Sequence, residues 1–278
     1  MKQPVKIPVS VVMITLNAER TLKQVLESVV DWADEIVIVD SGSADQTVAI
    51  AERFDCRIFD RKFTGFGAQK QFAIDQAHNP WVLILDADEL VTEPLADEIV
   101  TLFSNGLPDC SGYTLPRNLI FLGRVLRHSG QNRQPVLRLF DRRQGGMTLV
   151  PVHESVRVEG AVGHLSGILV HYSYGSLHDY VLKMNQYTTL SAEEMAQRHK
   201  KATVALQGVR FLFTFAKIYV LKGGFLDGYP GFVWALLSAV YPVIKYSKLQ
   251  EIQDGAEKPQ TQPLLVVEKG VHSLNGTH

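Results

Sequence analysis

The chain is poor in several features that would have settled its class at once. It has only two cysteines in 278 residues, Cys56 and Cys110, in segments that read as separate elements. A disulfide framework is therefore not expected, and a reducing, cytosolic setting is. Neither sign of charge is in excess: 28 Lys and Arg against 29 Asp and Glu leave a formal net charge of −1. That excludes a nucleic-acid binder relying on global charge, and no nucleic-acid partner is expected. The N-terminus, MKQPVKIPVSVVMITLN, lacks a signal-peptide cleavage pattern, and its apolar run is short and β-branched, so it reads as a first strand. The two longest apolar stretches fall short of the ~20 residues that span a bilayer. No internal repeat is visible. Apolar residues still make up 46% of the chain, enough for a sizeable core.

What is present, over residues 1–105, is a regular alternation. An apolar run Val9–Thr15 precedes a helical pattern over Thr21–Val30, with Leu22, Val25, Leu26 and Val29 on one face. A strand Glu35–Asp40 leads to a helix opening at Ser43 or Asp45, then to a short strand Arg57–Phe59 and a helix over 67–78. The strand Trp81–Leu85 is followed by a helix from Thr92, with Pro94 in its first turn. Nearly continuous apolar strands between helices predict an α/β fold, a Rossmann-like, mostly parallel sheet covered on both faces. Beyond residue 105 the texture changes to shorter strands at 112–118, 136–141, 152–158 and 168–172. A helical pattern resumes at Ser176, with Tyr180, Met184 and Tyr187 on one face. Residues 251–278 are polar and irregular and read as a flexible tail.

Polar groups collect at the carboxyl ends of the first, second and fourth strands, where such sheets bind ligands. The densest group is Asp86-Ala87-Asp88-Glu89. Adjacent carboxylates repel, so folding alone gives little reason to gather them. An acidic first turn for the next helix is the plain explanation. The favoured one is a divalent cation, Mg²⁺ or Mn²⁺, held by Asp86 and Asp88 against a diphosphate. In Asp40-Ser41-Gly42-Ser43-Ala44-Asp45, capping and turn chemistry accounts for Gly42, Ser43 and Asp45 but leaves Asp40 over. A carboxylate there can accept hydrogen bonds from a nucleobase or ribose. Arg138 and Arg133 are forked donors suited to phosphate, or else surface arginines.

Three motifs in order, Ile14-Thr15-Leu16-Asn17, Ile38-Val39-Asp40-Ser41-Gly42-Ser43-Ala44-Asp45-Gln46-Thr47 and Leu85-Asp86-Ala87-Asp88-Glu89, resemble glycosyltransferase family 2, enzymes of GT-A fold that use nucleotide sugars. The resemblance covers roughly residues 8–175. Val152-His153-Glu154, Leu169-Val170-His171-Tyr172 and Gly223-Gly224-Phe225-Leu226-Asp227-Gly228 resemble a narrower group, the lipopolysaccharide inner-core glucosyltransferases of the WaaE/KdtX type. It implies a GT-A domain over 1–175, with a nucleotide-binding half (1–105) and an acceptor half (106–175), then a helical extension over 176–250.

The same resemblance implies roles. Thr15, Asn17 and Asp40 would hold a uridine, Asp86 the ribose or the metal, and Asp88 the cation bridging the diphosphate. Lys70 falls where the family often has a basic residue near the nucleotide; a solvated helix lysine is nearly as good a reading. Glu154 is the candidate base, against an edge-strand carboxylate paired with Arg157 or Arg138. His171 is either a hydrogen-bonded core histidine or a late metal ligand. The implied reaction is inverting transfer of glucose from a UDP-glucose donor to a heptose of the lipopolysaccharide core. A rival nucleotidyltransferase would want a glycine-rich loop after the first strand, where Thr15–Arg20 has no glycine. A non-catalytic membrane scaffold is the second rival.

Val209–Leu221 and Tyr229–Ile244 carry many aromatics, interrupted by Arg210, Lys217 and Lys222. They read as helices packed on the catalytic domain or, preferred, as an interfacial pair on the cytoplasmic face of the inner membrane. The partial echo Gln207-Gly-Val-Arg-Phe211 of a processive Q-x-x-R-W motif does not make the enzyme processive.

Overall fold

The computed structural model describes residues 6–104, 106–148, 155–201 and 204–255. The first half follows the alternation: β1 (Ile7–Thr15), α1 (Glu19–Glu27), β2 (Ala33–Asp40), α2 (Thr47–Glu52), β3 (Arg57–Asp60), α3 (Phe66–Asp75), β4 (Trp81–Asp86), β5 (Glu89–Val91) and α4 (Glu93–Phe103). The second half contributes β6 (Gly112–Phe121), β7 (Arg124–Val125), β8 (Gln134–Asp141), β9 (Gly145–Met147), β10 (Val156–Val158), β11 (Val162–His164) and β12 (Leu169–His171).

The main sheet runs β3-β2-β1-β4-β8-β6-β12-β5. The first four strands are parallel, as the alternation requires. Beyond them the sheet is mixed, because β8 runs antiparallel to both β4 and β6 and β5 runs antiparallel to β12. The parallel expectation thus holds for residues 1–105 and gives way afterwards, where hairpin-length connections replace helical crossovers. β1 is central: Val9, Val11, Val12 and Met13 are at most 1% exposed. Burying each such side chain contributes about 1.5–3 kcal/mol. Apolar clusters form on both faces, around α1 and α4 on one and α3 on the other.

Register decides where the polar ends fall. Thr15 lies opposite Asp40, and Ile14 opposite Asp86. In β12, His171 lies opposite Glu89 of β5. Three strand ends and a returning strand are thereby brought to one edge of the sheet.

The C-terminal part is α5 (Leu177–Gln197), capped by Ser176 Oγ accepting from Asp179 N at 3.1 Å, then α6 (Val204–Ala216) and α7 (Gly228–Gln253). A π-helical turn (Lys217–Leu221) and a 3₁₀ turn (Gly224–Asp227) join α6 to α7. The helix α7 reaches into the expected tail; residues 256–278 lie outside the described residues. This extension packs on the end of β6 through Leu119, Phe121, Leu126, Tyr180, Met184, Val233 and Trp234. Phe121 sits edge-on to Trp234 at 5.3 Å and to Tyr180 at 5.6 Å, pairs that add about 0.5–1.5 kcal/mol each beyond area burial. Gly231 is required here: a Cβ on it would meet the Gly224 carbonyl at 1.9 Å. No helix among the described residues is long and apolar enough to cross a membrane.

Candidate active site

The turn after β2 is built around Asp40, which is 4% exposed. Its Oδ1 accepts from Thr15 Oγ1 (2.7 Å) and Ser43 Oγ (2.6 Å), its Oδ2 from Gly42 N (2.9 Å) and Ser43 N (2.7 Å). All four lone-pair directions of the carboxylate are filled from within the protein. Asp40 therefore shapes the loop, and a nucleobase contact would have to displace one of these donors. Asn17 closes the same loop in a left-handed conformation (φ +49°) that asparagine tolerates. Its N–H donates to Ser43 Oγ at 2.8 Å, and its Oδ1 accepts from Ala44 N at 2.8 Å. Thr15, Asn17 and Asp40 thus form one rigid rim across the ends of β1 and β2.

Deeper lies a charge cluster. Lys70, on α3, is 7% exposed and places Nζ 2.7 Å from Asp86 Oδ1, so it is not a solvated helix lysine. Arg138, on β8, donates to Asp86 Oδ2 at 2.8 Å and to Glu89 Oε1 at 2.7 Å. Arg117, on β6, reaches the same Glu89 oxygen at 3.2 Å, and Asp86 N donates to Glu89 Oε2 at 3.2 Å. Glu89 is fully buried. Burial alone would raise the Asp86 carboxyl, but Arg138 and Lys70 outweigh it and hold it well below the usual carboxylate range. Burial also works against the Arg138 charge, yet Glu89 and Asp86 keep its guanidinium more firmly protonated than an ordinary arginine. Arg138 Nε has no acceptor among the described residues.

Asp88 is set apart from this cluster. Its Oδ1 lies 3.3 Å from His171 Nε2, and its carbonyl accepts from Tyr172 N at 2.8 Å, so the turn after β4 is stitched to β12. Two donors sharing one octahedral Mg²⁺ at ~2.1 Å stand roughly 3.0 Å apart. The Asp88–His171 spacing is close to that geometry; the carboxylate oxygen suits Mg²⁺ or Mn²⁺, and the imidazole nitrogen is a softer donor than either prefers.

The expected metal ligands Asp86, Asp88 and His171 are placed as follows. Among the described residues no three metal-capable side chains converge, and both Asp86 oxygens meet Lys70 and Arg138. The proposed base, Glu154, lies outside the described residues, as do His153 and the first part of the expected 152–158 strand. Arg133 is not in the cluster: its guanidinium donates to the Ser166 carbonyl at 3.3 Å. The residue missed is Arg117. Its signal was a lone arginine inside the apolar strand GYTLPRNLIF.

Residues 10–157, more than half of the chain, match the family model described as Glycosyl transferase family 2. The chain belongs to that family. Its mixed α/β sheet is the GT-A-like arrangement, and the chain is a glycosyltransferase. A curated relative, the lipopolysaccharide core biosynthesis glycosyltransferase LpsC of Rhizobium meliloti (strain 1021), is 31% identical over 257 residues, which are 88% of this chain and 93% of that protein. An uncharacterized glycosyltransferase of Rickettsia typhi is 27% identical over 88% of this chain and 87% of its own. Among solved structures, S. aureus TarS residues 1–349 aligns over 92% of this chain and 98% of its own, at 13% identity and a TM-score of 0.44.

Proposed function

We propose that this glycosyltransferase moves glucose from UDP-glucose to a heptose of the lipopolysaccharide inner core, by a single displacement that inverts the anomeric carbon. The observation carrying the donor side is the placement of Lys70 and Arg138 around Asp86, next to the Asp88–His171 pair. Two cations and a metal-compatible pair at one sheet edge suit a diphosphate. In this reading Asp88 and His171 hold Mg²⁺ or Mn²⁺, and the bound cation would offset the charge that develops on the departing diphosphate. Asp86 orients Lys70 and Arg138, and the Thr15–Asn17–Asp40 rim receives the uridine. Glu154 is assigned the proton of the acceptor hydroxyl.

The similarity to LpsC supports a core-lipopolysaccharide acceptor. Attachment to the inner membrane is supported by the face that α6 and the following turns leave uncovered. Leu212, Phe213, Leu221, Leu226 and Tyr229 are each more than 60% exposed there, with Lys217 and Lys222 exposed beside them, an apolar strip edged by cations as a phospholipid surface requires.

The test is release of UDP from a panel of UDP-sugars, with and without heptose-terminated core lipid and divalent cation. Metal-dependent turnover of UDP-glucose only with that acceptor is the expected result. Turnover of another UDP-sugar or another lipid or polysaccharide acceptor would keep the family and replace the substrates.

A further inference from the structure

A cavity of about 120 Å³ opens beside the metal-compatible pair, lined among others by Arg117, Gln131, Gln134, His171, Tyr174 and Trp234. His171 belongs both to this cavity and to the Asp88 pair, so a molecule bound in it abuts the reacting centre. The volume equals about four waters at roughly 30 Å³ each, which admits one edge of a sugar ring and is too small for a nucleotide. Its one arginine already meets Glu89 at 3.2 Å, and the other polar groups are the Gln131 and Gln134 amides, the Ser173 and Tyr174 hydroxyls and the His171 imidazole. That lining favours a neutral polyol over a phosphate. Tyr174 and Trp234 stand 6.5 Å apart, inclined at 47°. Trp234 is only 9% exposed, and its indole N–H finds no acceptor among the described residues.

The C-terminal extension builds this cavity twice over. It supplies Trp234 from α7, and it fixes the loop that bears Gln131 and leads into β8 at Gln134. The Asp227 carboxylate accepts from Arg127 N (3.0 Å), His128 N (3.0 Å) and Ser129 Oγ (2.9 Å), while Ser129 N donates to the Lys222 carbonyl at 3.1 Å.

We propose that this cavity is the acceptor subsite and takes one neutral sugar ring. Tyr174 and Trp234 lie against its C–H face, and Gln131 and Gln134 meet its hydroxyls. The proposal rests on the transfer reading above and adds that the helical extension selects the acceptor. The full-length chain carrying Trp234→Phe, Gln131→Ala or both tests it in two ways. In turnover of UDP-glucose with heptose-terminated core oligosaccharide, each single variant should raise the acceptor KM at least tenfold, while the Kd for UDP with Mn²⁺ stays within twofold. An acceptor KM within twofold of the parent overturns the subsite; a tenfold weaker UDP assigns the cavity to the donor and overturns it too. Saturation-transfer NMR with methyl glycosides of hexoses and heptoses is independent of turnover. Signals lost in the double variant support the subsite, and signals absent or equal in both proteins overturn it. Absence of UDP binding by the parent would instead sink the transfer reading.

Discussion

At the carboxyl ends of the strands, Asp86 and Glu89 are packed among Lys70, Arg138 and Arg117, and every one of these charges has a partner within 3.2 Å. Along α6 and the turns that follow, Val209, Leu212, Phe213, Val220 and Leu221 are all more than half exposed. One region buries what water prefers; the other exposes what water rejects. Neither arrangement is what stability alone would select, since buried ion pairs are often no better than apolar replacements and exposed apolar strips invite association. In the proposed reading both serve something outside the chain, a charged donor in the first region and an apolar surface in the second.

The comparison breaks most severely at Glu89. Replacing it with Gln leaves Arg138 and Arg117 sharing a neutral side chain in a dry site. The expected cost is about 3–5 kcal/mol, or roughly 10 °C in Tm, read by thermal unfolding. Asp88 lies one residue away and should behave oppositely. Asp88→Asn removes a partly exposed carboxylate whose contact is His171, so Tm should hardly move. Turnover should fall at least a hundredfold, about 3 kcal/mol in the barrier, and added Mn²⁺ should not restore it. Equal losses of Tm in the two variants would erase the distinction between a structural and a functional acid.

That distinction was legible in the sequence only in part, where Asp86 and Asp88 read as the cation's ligands and Glu89 as a helix-start or supporting carboxylate. Periodicity located β4 and its polar end, and the parallel register did the rest for Thr15, Asp40 and Asp86. What it could not supply was the identity of the neutralising charges, because Lys70, Arg117 and Arg138 come from three separate elements. Lys70 was the hardest to judge. It sits beside Gln69 on the buried side of α3, so its polarity hid its burial. The three-residue strand β5 was also invisible, since it exists only by pairing with β12, far along the chain.

The exposed region predicts a smaller effect. Leu212 and Phe213 are 68% and 62% exposed, so changing both to Asp removes little packing. Each side chain withdrawn from a lipid surface forfeits at most about 1.5–3 kcal/mol. The double variant should therefore bind anionic vesicles at least tenfold more weakly in sedimentation, with unfolding unchanged. Undiminished vesicle binding would remove the membrane from the account of this face.

The smallest effect is expected at the far end of the sheet, where Glu35 repeats the paired-charge arrangement with no ligand to serve. Its carboxylate accepts from Ser10 Oγ (2.5 Å) and His78 N (2.8 Å) and pairs with Arg57. Burial pushes its pKa up, but these hydrogen bonds and the neighbouring His78 charge outweigh burial and leave it below its ordinary 4.5. A depressed folded value means that the stabilisation is complete above the unfolded value, near 4.3, and is lost as pH falls through the folded one. Glu35→Gln should therefore cost about 1 kcal/mol at pH 7 and progressively less in acid, so that the two denaturation curves converge below pH ~4. A stability gap that stayed constant from pH 7 to 3 would mean that Glu35 acts through packing alone.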